Sequence, residues 1–263
     1  TPTERCAHFR IQFPPGADAR LLVQSILGPA DLQLHDDLCG LVGAVRGWDA
    51  QGLHRAQAPE GFRCYFAMRS TRRFGGGQGI LDAARQDGRE INGENGAGME
   101  LVFAPGDDTV EISVATSFIS KEQALLNLER EIGLRDFDAS RAASREIWNG
   151  WLGRIRVEGG GDRQRQTFYS ALYRSLIFPR FFHELDRDNR EIHYSPYTGT
   201  VEPGPLCADN GFWDTFRTVY PLLALAYPDV LGKIINGWVQ AAKEGGAFPK
   251  WASPGYRACM IGT

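Results

Sequence analysis

The hydrophobic pattern of the chain changes its period once, near residue 120. Before that point, apolar residues alternate with polar ones in three stretches, at 8–13, 62–69 and 110–118. Strict alternation places one set of side chains on a buried face and the other toward water, as in an antiparallel sheet packed on one side. Turn-rich segments such as PPGAD and APGDD separate the stretches. Residues 1–119 are therefore predicted to form a β-sandwich domain.

A glycine-rich stretch from Arg72 to Gly98 interrupts this pattern, with the runs GGGQG and NGENGAG. A phosphate-binding loop needs a glycine-rich turn that leads from a strand into an amphipathic helix. The helical pattern after GGGQG is poor, and no GK[ST] follows. We interpret the stretch as a long surface loop rather than as a nucleotide site.

Helical periodicity begins at Ser120. Ser120 and Gln123 fit a capping box, in which the serine hydroxyl accepts a hydrogen bond from the third helical N–H. After a break at Gly133 and Asp136, a second helix is predicted, with apolar residues four apart, and then a third helix that Pro179 ends. The apolar residues of the second helix are Ile147, Trp151 and Ile155, with Trp148 beside them, and we assign its tryptophans to the core.

The order of elements is strands first and helices afterwards. A polar segment at 181–200, FFHELDRDNREIHYSPYTGT, is predicted to be irregular. Such an order argues against an alternating α/β sheet and favours an all-β domain followed by an all-α one. We predict a helical linker over residues 120–160 and a helical domain over 161–263.

The last quarter of the chain holds two strongly patterned helices. Pro221 predicts a kink or a new helix start, and Asp229 can cap the helix that follows. Gly245 and Gly246 predict its end. Trp238 lies on the apolar stripe of this helix, so we assign it to the core.

The turns of this region combine aromatic and charged residues, as a sugar-binding cleft requires. In GFWDTFRT, Asp214 and Arg217 are three apart and are neighbours on a helix surface. They form either a surface ion pair or a site in which Asp214 accepts hydrogen bonds from sugar hydroxyls while Arg217 holds it. The turn KEGGAFPKW presents Glu244, Lys250 and Trp251 within eight residues of each other, and loops at helix ends are where binding groups usually lie. The alternative for these charged residues is a solvated turn.

Composition excludes several classes of function. The chain has 263 residues, 43% hydrophobic and 23% charged, and a net charge of −3, which is typical of a soluble globular protein and argues against nucleic-acid binding. No stretch approaches the roughly 18 apolar residues of a membrane span. The N-terminus has no signal-peptide pattern. The five cysteines are scattered without a CxxC pair, which argues against a zinc site.

The segment from about Val114 to the end closely resembles glycoside hydrolase family 92, a family of exo-acting α-mannosidases. The stretches that carry the resemblance are SFISKEQALLNLEREI, FYSALYRSLIFPR, GFWDTFRTVYPLLAL, KEGGAFPKW and CMIGT. The resemblance implies a β-sandwich, a helical linker and an (α/α)6 barrel. It also implies inverting hydrolysis of terminal α-mannosides on mannose-containing oligosaccharides or N-glycans, assistance by calcium, and a secreted or vacuolar location.

The resemblance assigns substrate-binding roles to individual residues. Trp213 and Asp214 match the sugar-contacting motif of the family. Nearby motif positions are matched by Arg217, Glu244, Lys250 and Trp251. Inversion needs one carboxylic acid to protonate the leaving oxygen and one carboxylate to activate water.

Family members continue past the CMIGT-like element, so the resemblance places the acid, the base and most of the metal site downstream of Thr263. This chain is expected to hold part of the sandwich and only the first barrel helices, with apolar helix faces left uncovered. It is therefore expected to be inactive alone. Two alternatives stay open: a carbohydrate-binding module without catalysis, and another (α/α)6-barrel glycosidase.

Overall fold

The computed structural model describes residues 1–25, 28–46, 61–81, 84–249, 251–252 and 254. Their contacts form two compact units, the first within residues 1–144 and the second from residue 145 onward. The linker predicted over 120–160 is thus shared, because its first helix and half of its second belong to the first unit.

The first unit contains two antiparallel sheets. One has six strands in the order β1-β10-β5-β4-β3-β8, and the other has four in the order β2-β9-β6-β7. The predicted β-sandwich is confirmed. The strands are β1 (Cys6–Gln12), β2 (Arg20–Ser25), β3 (Ala30–Leu34), β4 (Gly40–Arg46), β5 (Arg63–Ser70), β6 (Phe74–Leu81), β7 (Ala84–Asp87), β8 (Glu90–Gly93), β9 (Ala97–Phe103) and β10 (Thr109–Ser117).

The main core lies between the two sheets. Alternate residues of β10 point into it: Val110 and Ile112 are buried there, whereas Ala115, on the other face of the strand, belongs to a second core. Burial of such aliphatic side chains contributes about 1.5–3 kcal/mol each. Their main partners are Leu32, Leu41, Met68, Phe74, Met99 and Leu101.

The prediction of a surface loop over 72–98 is wrong, since β6, β7, β8 and the start of β9 occupy this range. The glycines of β6 serve close packing rather than a turn. A Cβ atom at Gly79 would collide with the side chain of Ile91 on β8, and one at Gly77 would lie 3.1 Å from Leu34 Cδ2. Glycine within a strand often marks such a close approach.

A helix covers the second face of the six-stranded sheet. Helix α1 (Lys121–Glu131) begins after Ser120, whose hydroxyl accepts a hydrogen bond from the Gln123 N–H at 3.1 Å, as predicted. Its buried residues form a second core with residues of β1, β4, β5 and β10. This core comprises Cys6, Val42, Ala67, Ala115, Ala124, Leu128 and Ile132.

In β1, an apolar residue is exposed and its polar neighbour is buried, which is the opposite of the predicted alternation. Phe9 is 47% exposed, whereas the neighbouring His8 is 2% exposed. His8 lies under the first turns of helix α2 (Phe137–Leu152), with Nδ1 3.0 Å from the Ser140 hydroxyl and Nε2 3.5 Å from a Glu111 oxygen. A helix far along the chain therefore decides which face of β1 is buried.

The first unit should lose stability in mild acid because of His8. Burial lowers the pKa of His8 below 6.5, partly opposed by the Glu111 carboxylate. Since the unfolded chain then binds the proton more readily than the folded chain, the stabilisation is complete above pH 6.5 and declines as the pH falls through the lower, folded-state pKa. We expect His8→Asn to reduce the difference in urea midpoint between pH 7.5 and pH 5. The same difference should persist in His35→Asn, and an unchanged His8→Asn profile would contradict the prediction.

The second unit combines helices with short strand pairs. Helix α3 (Asp162–Ser175) precedes β11 (Arg180–Phe181), β12 (Glu184–Leu185), β13 (Glu191–Tyr194), β14 (Val201–Pro203), β15 (Cys207–Ala208) and β16 (Asn210–Gly211). Helices α4 (Phe212–Thr215), α5 (Val219–Ala226) and α6 (Pro228–Gly245) and strand β17 (Trp251–Ala252) follow.

The segment predicted to be irregular at 181–200 contains strands. Strands β12, β13 and β14 form a three-stranded antiparallel sheet, and β11 pairs with β15. Each strand has only two to four residues, which is too few for an alternation to be visible in the sequence. His183, Glu184, His193 and Ser195 of this segment are all buried.

The helices of the second unit pack around Tyr227, which is 0% exposed. Its hydroxyl donates a hydrogen bond to the Trp151 carbonyl at 3.0 Å. Trp238 belongs to the same core, as predicted, whereas the apolar stripe predicted for α2 is wrong in part, because Ile147 is 60% exposed. The core residues are Leu172, Cys207, Leu223, Tyr227, Ile234 and Trp238.

Three predictions about helix ends have clear outcomes. Helix α5 starts at Val219, so Pro221 lies in its first turn. Helix α6 ends where Gly246 adopts a φ of 78°, as predicted. The prediction that Asp229 caps α6 is wrong, because Tyr227 holds the N-cap position and Asp229 lies inside the first turn.

Asp229 instead pairs with Arg154. The guanidinium donates to both carboxylate oxygens, at 2.6 and 2.9 Å, and lies 4.3 Å from the Trp151 ring centroid. These hydrogen bonds lower the pKa of Asp229 from 3.8 to about 2. The stabilisation is present above pH 3.8 and is lost as the pH falls toward 2.

Replacing Arg154 with methionine should therefore return the pKa of Asp229 toward 3.8, since the charged donors are removed. A carboxyl-detected NMR titration measures this shift directly. Arg165→Met, which removes an exposed ion pair to Asp162 on α3, is the matched control and should leave the pKa of Asp229 unchanged. Equal pKa values in the Arg154 variant and the parent would contradict the assignment.

Several large apolar side chains of the second unit are exposed, as expected for uncovered helix faces. The most exposed are Leu225 at 85%, Phe248 at 66% and Ile147 at 60%. Within the residues that the structure describes, none of the helices combines the length and the apolar character that crossing a membrane requires.

Candidate sugar-binding site

A short strand pair brings the two predicted binding motifs together. In β16 and β17, Asn210 lies opposite Ala252, and Gly211 lies opposite Trp251. Helix α4 starts directly after β16, and β17 follows the end of α6. The pairing therefore joins the start of the GFWDTFRT motif to the end of the KEGGAFPKW motif.

Trp251 and Asp214 meet at Gly211. A Cβ atom on Gly211 would lie 2.5 Å from Trp251 Cζ3, 2.6 Å from Cη2 and 2.8 Å from the Asp214 Oδ2 oxygen. Real Cβ atoms do not approach other atoms this closely, so only glycine admits both side chains. The indole ring and the carboxylate thus occupy neighbouring positions over the same backbone.

Asp214 and Trp213 are accessible from solvent. Asp214 is exposed, and Trp213 is 36% exposed. Both lie in the short helix α4. The sequence-predicted pair of Trp213 and Asp214 is therefore available to a ligand.

A buried polar cluster holds the start of α4. The Thr215 hydroxyl donates to the Gly211 carbonyl at 3.0 Å, and the buried Asn210 amide donates to the Tyr220 hydroxyl. Burial raises the pKa of Tyr220 to about 12, so its phenol stays neutral at physiological pH. The sequence reasoning missed Asn210 and Tyr220, because their contact exists only once α5 has folded back toward β16.

Arg217 does not hold Asp214. The Arg217 guanidinium lies over the ring of Phe216, 4.7 Å from its centroid. No ion pair between Asp214 and Arg217 exists in the described part of the chain, although the two are three residues apart. The described residues therefore include neither the predicted surface ion pair nor a contact through which Arg217 could hold Asp214. Arg217 is an exposed cation beside an aromatic ring.

Glu244 lies in a different environment from the other predicted site residues. Its side chain is only 6% exposed, and both of its oxygens contact His193 Nε2, at 3.1 and 3.2 Å. The Gln240 amide also donates to it at 2.8 Å. His193 was missed by the sequence reasoning. Lys250 and the CMIGT element lie outside the described residues.

The described residues do not by themselves form a metal site. Nowhere among them do three or more His, Cys, Asp or Glu side chains gather closely enough to hold a metal ion. A calcium ion prefers six to eight oxygen ligands. The described part of the chain therefore does not fit calcium on its own.

The site offers groups that bind rather than a complete hydrolytic centre. Indole rings give an apolar face for a pyranose ring, and an exposed carboxylate accepts hydrogen bonds from hydroxyl groups. Hydrolysis with inversion also requires an acid and a base on opposite sides of the glycosidic bond. Trp213 and Trp251 are the indole rings of this site, and Asp214 is its exposed carboxylate.

Comparison with known families decides what this geometry belongs to. The model of the glycosyl hydrolase family 92 catalytic domain matches residues 123–263, more than half of the chain. The chain belongs to glycosyl hydrolase family 92. The matched range includes both motifs that meet at Gly211.

Solved family 92 structures extend the likeness over the strand unit. A family 92 inverting mannosidase from Bacteroides thetaiotaomicron VPI-5482 is 37% identical, with a TM-score of 0.91 over 98% of this chain and 34% of its own. A second family 92 α-mannosidase from Bacteroides thetaiotaomicron is 21% identical and shares the fold, with a TM-score of 0.83 over 100% of this chain and 36% of its own.

A curated relative matches a shorter region. It is an uncharacterized secreted glycosidase of Arthroderma benhamiae, 39% identical over 91 residues, which are 32% of this chain and 12% of the relative. This family 92 chain thus spans about a third of the length of the solved structures and an eighth of the curated relative.

Proposed function

We propose that this family 92 chain contributes the sugar-binding part of an inverting exo-α-mannosidase that releases terminal mannose from mannose-capped glycans. The observation that carries the proposal is the meeting of Trp251 and the exposed Asp214 at Gly211. Support also comes from the 37% identical structure, whose protein is an inverting mannosidase.

In this proposal each site residue has a distinct task. The indole rings of Trp213 and Trp251 contact the apolar face of the mannose ring, and Asp214 accepts hydrogen bonds from its hydroxyls. Arg217 and Lys250, which match motif positions of the family, are proposed to contribute cationic donors. A charged acceptor contributes about 1.5–3 kcal/mol per hydrogen bond, so Asp214 is expected to dominate the polar recognition.

The acid and the base are proposed to lie downstream of Thr263, together with most of the calcium ligands. When bound, calcium would supply positive charge that holds the mannose hydroxyls. Mannose-containing oligosaccharides or N-glycans are the proposed substrates. A secreted or vacuolar location is proposed from the family, and the secreted relative supports secretion.

The test compares this chain with a version that continues past Thr263. Both are assayed on an α-mannobiose, with calcium and with EDTA. We expect calcium-dependent release of mannose by the longer protein only, and binding without release by this chain. Binding without release by either protein would contradict hydrolysis and favour a carbohydrate-binding module. Preference for a glucoside or for phosphate would favour another (α/α)6-barrel enzyme.

A further inference from the structure

A buried histidine on the small sheet is not accounted for by the sugar site. His193 lies on β13, the middle strand of the three-stranded sheet, and is 0% exposed. The proposed roles of Trp213, Asp214 and Trp251 make no use of it. A fully buried imidazole is costly unless its nitrogens have hydrogen-bond partners, so its contacts indicate what it does.

Both ring nitrogens of His193 face acceptors. Nδ1 lies 2.9 Å from the Gly204 carbonyl, which can only accept, so Nδ1 donates. Nε2 lies 3.1 and 3.2 Å from the two oxygens of Glu244. One proton therefore lies between Nε2 and the Glu244 carboxyl, and this hydrogen bond joins the two side chains.

This contact joins the small sheet to the last turn of α6. Glu244 is the penultimate residue of that helix, and the Gln240 amide one turn earlier donates to the same carboxylate at 2.8 Å. Gly204, directly after β14, also lies against Gln240, since a Cβ there would be 3.8 Å from the Gln240 Cδ atom. The end of α6 thus contacts the small sheet at two points, through Glu244 and through Gln240.

The end of α6 determines the start of the segment that carries Trp251. Gly246 reverses the chain in a left-handed conformation, and β17 pairs with β16 five residues later, with Trp251 opposite Gly211. A shift of the last turn of α6 would therefore also shift the start of this short segment. The contacts of His193 and Gln240 with Glu244 lie just before this segment begins, and Trp251, opposite Gly211, lies at its end.

We propose that His193, Glu244 and Gln240 form a positioning network that seats Trp251 against Gly211, beside Asp214. Glu244 then acts through Trp251 and does not contact the sugar. The consequence for mannose recognition rests on the function proposed above. The position of Trp251 against Gly211 does not depend on that function, and it can be measured without any sugar.

The test uses the ring current of Trp251, which perturbs the NMR shifts of the Gly211 α-protons. The difference in these shifts between the parent chain and Trp251→Leu defines the seated signal. His193→Asn keeps a donor for the Gly204 carbonyl but cannot reach Glu244, and we expect it to lose most of that difference. Glu244→Ala is expected to do the same, whereas Glu244→Gln, whose amide can still form a hydrogen bond with His193 Nε2, should retain it.

A second buried histidine provides the matched control. His183 is 2% exposed, with its Nε2 3.4 Å from Glu191 and its Nδ1 3.4 Å from the Leu206 carbonyl, and both of these partners lie outside the last turn of α6. His183→Asn should lower stability while it leaves the Gly211 shifts as in the parent. If His183→Asn and His193→Asn both lose the seated signal, the role of His193 is merely structural and the proposal is overturned. Retention of the signal in His193→Asn and in Glu244→Ala would also overturn it.

Sugar titrations separate this inference from the proposed function. If the variants lose the seated signal and also lose mannoside affinity, both proposals are supported. If they lose the signal while the parent chain binds no mannoside, the positioning network stands and the proposed sugar site fails. If the parent binds and the variants bind equally well with the signal intact, the positioning role is refuted and the sugar site stands.

Discussion

Replacing Asp214 with alanine is expected to weaken mannoside binding by roughly ten- to a hundredfold. A hydrogen bond to a charged acceptor contributes about 1.5–3 kcal/mol, and each ~1.4 kcal/mol changes an affinity tenfold. Asp214 is exposed, and its carboxylate meets Trp251 at Gly211, so a ligand on the indole ring lies within its reach. An NMR titration of the chain with methyl α-mannoside measures the dissociation constant.

Two variants make this result specific. Asp214→Asn keeps an acceptor oxygen without the charge and should lie between the parent and the alanine variant. Asp188→Ala removes a carboxylate that is 70% exposed and is paired with Arg190 in the same unit, so it should bind like the parent. If Asp214→Ala also binds like the parent, Asp214 does not contact the sugar.

The largest effect on stability is expected at Tyr227. Truncation of a buried aromatic side chain to alanine costs about 3–5 kcal/mol because a cavity remains. Tyr227 is 0% exposed and contacts the Trp151 ring, with centroids 6.1 Å apart. It also joins α5 to α6, since it is the C-cap residue of α5 and the N-cap residue of α6. Guanidinium denaturation followed by tryptophan fluorescence measures the loss.

Tyr227→Phe separates packing from hydrogen bonding. It removes only the bond from the hydroxyl to the Trp151 carbonyl, which is 3.0 Å long, and should cost about 0.5–1.5 kcal/mol. A loss in Tyr227→Ala no larger than the loss in Tyr227→Phe would show that the ring itself contributes little to this core. The denaturation slope should stay the same in all three proteins if the unfolding mechanism is unchanged.

The parts of the fold that could be predicted are those controlled by neighbouring residues. The alternation that gave β10, the cap at Ser120 and the glycine stop at Gly246 depend on a few residues next to one another in sequence. The glycine-rich strand β6 could not be predicted in this way. Glycine carries no hydrophobic signal. The strand needs glycine at position 79 because Ile91 packs against it, and this contact exists only when the two sheets are packed.

Burial at β1 illustrates a second limit. The apolar Phe9 is exposed and the polar His8 is buried, because the partners of His8 are Glu111 and Ser140, more than a hundred residues away. Local alternation identifies a strand but not the face that another element covers.

The candidate site shows the same division. The two motifs were marked by the family resemblance, and the structure brings Asp214 and Trp251 together, although nothing in their spacing required it. The partner of Glu244 could not be found from sequence, since His193 lies 51 residues upstream in a stretch without a visible period. The roles of the site residues in sugar binding remain predictions.

The helix that lies on the outer face of the six-stranded sheet has a practical consequence for modular exchange between relatives. A gene fusion that transfers only residues 1–119 would leave Val42, Ala67 and Ala115 facing water, because their partners Ala124 and Leu128 would stay behind. A junction placed after α2 carries both these residues and the Ser140 hydroxyl that contacts His8. The transplantable unit is therefore a sandwich with its own helical cover, longer than its strands alone would indicate.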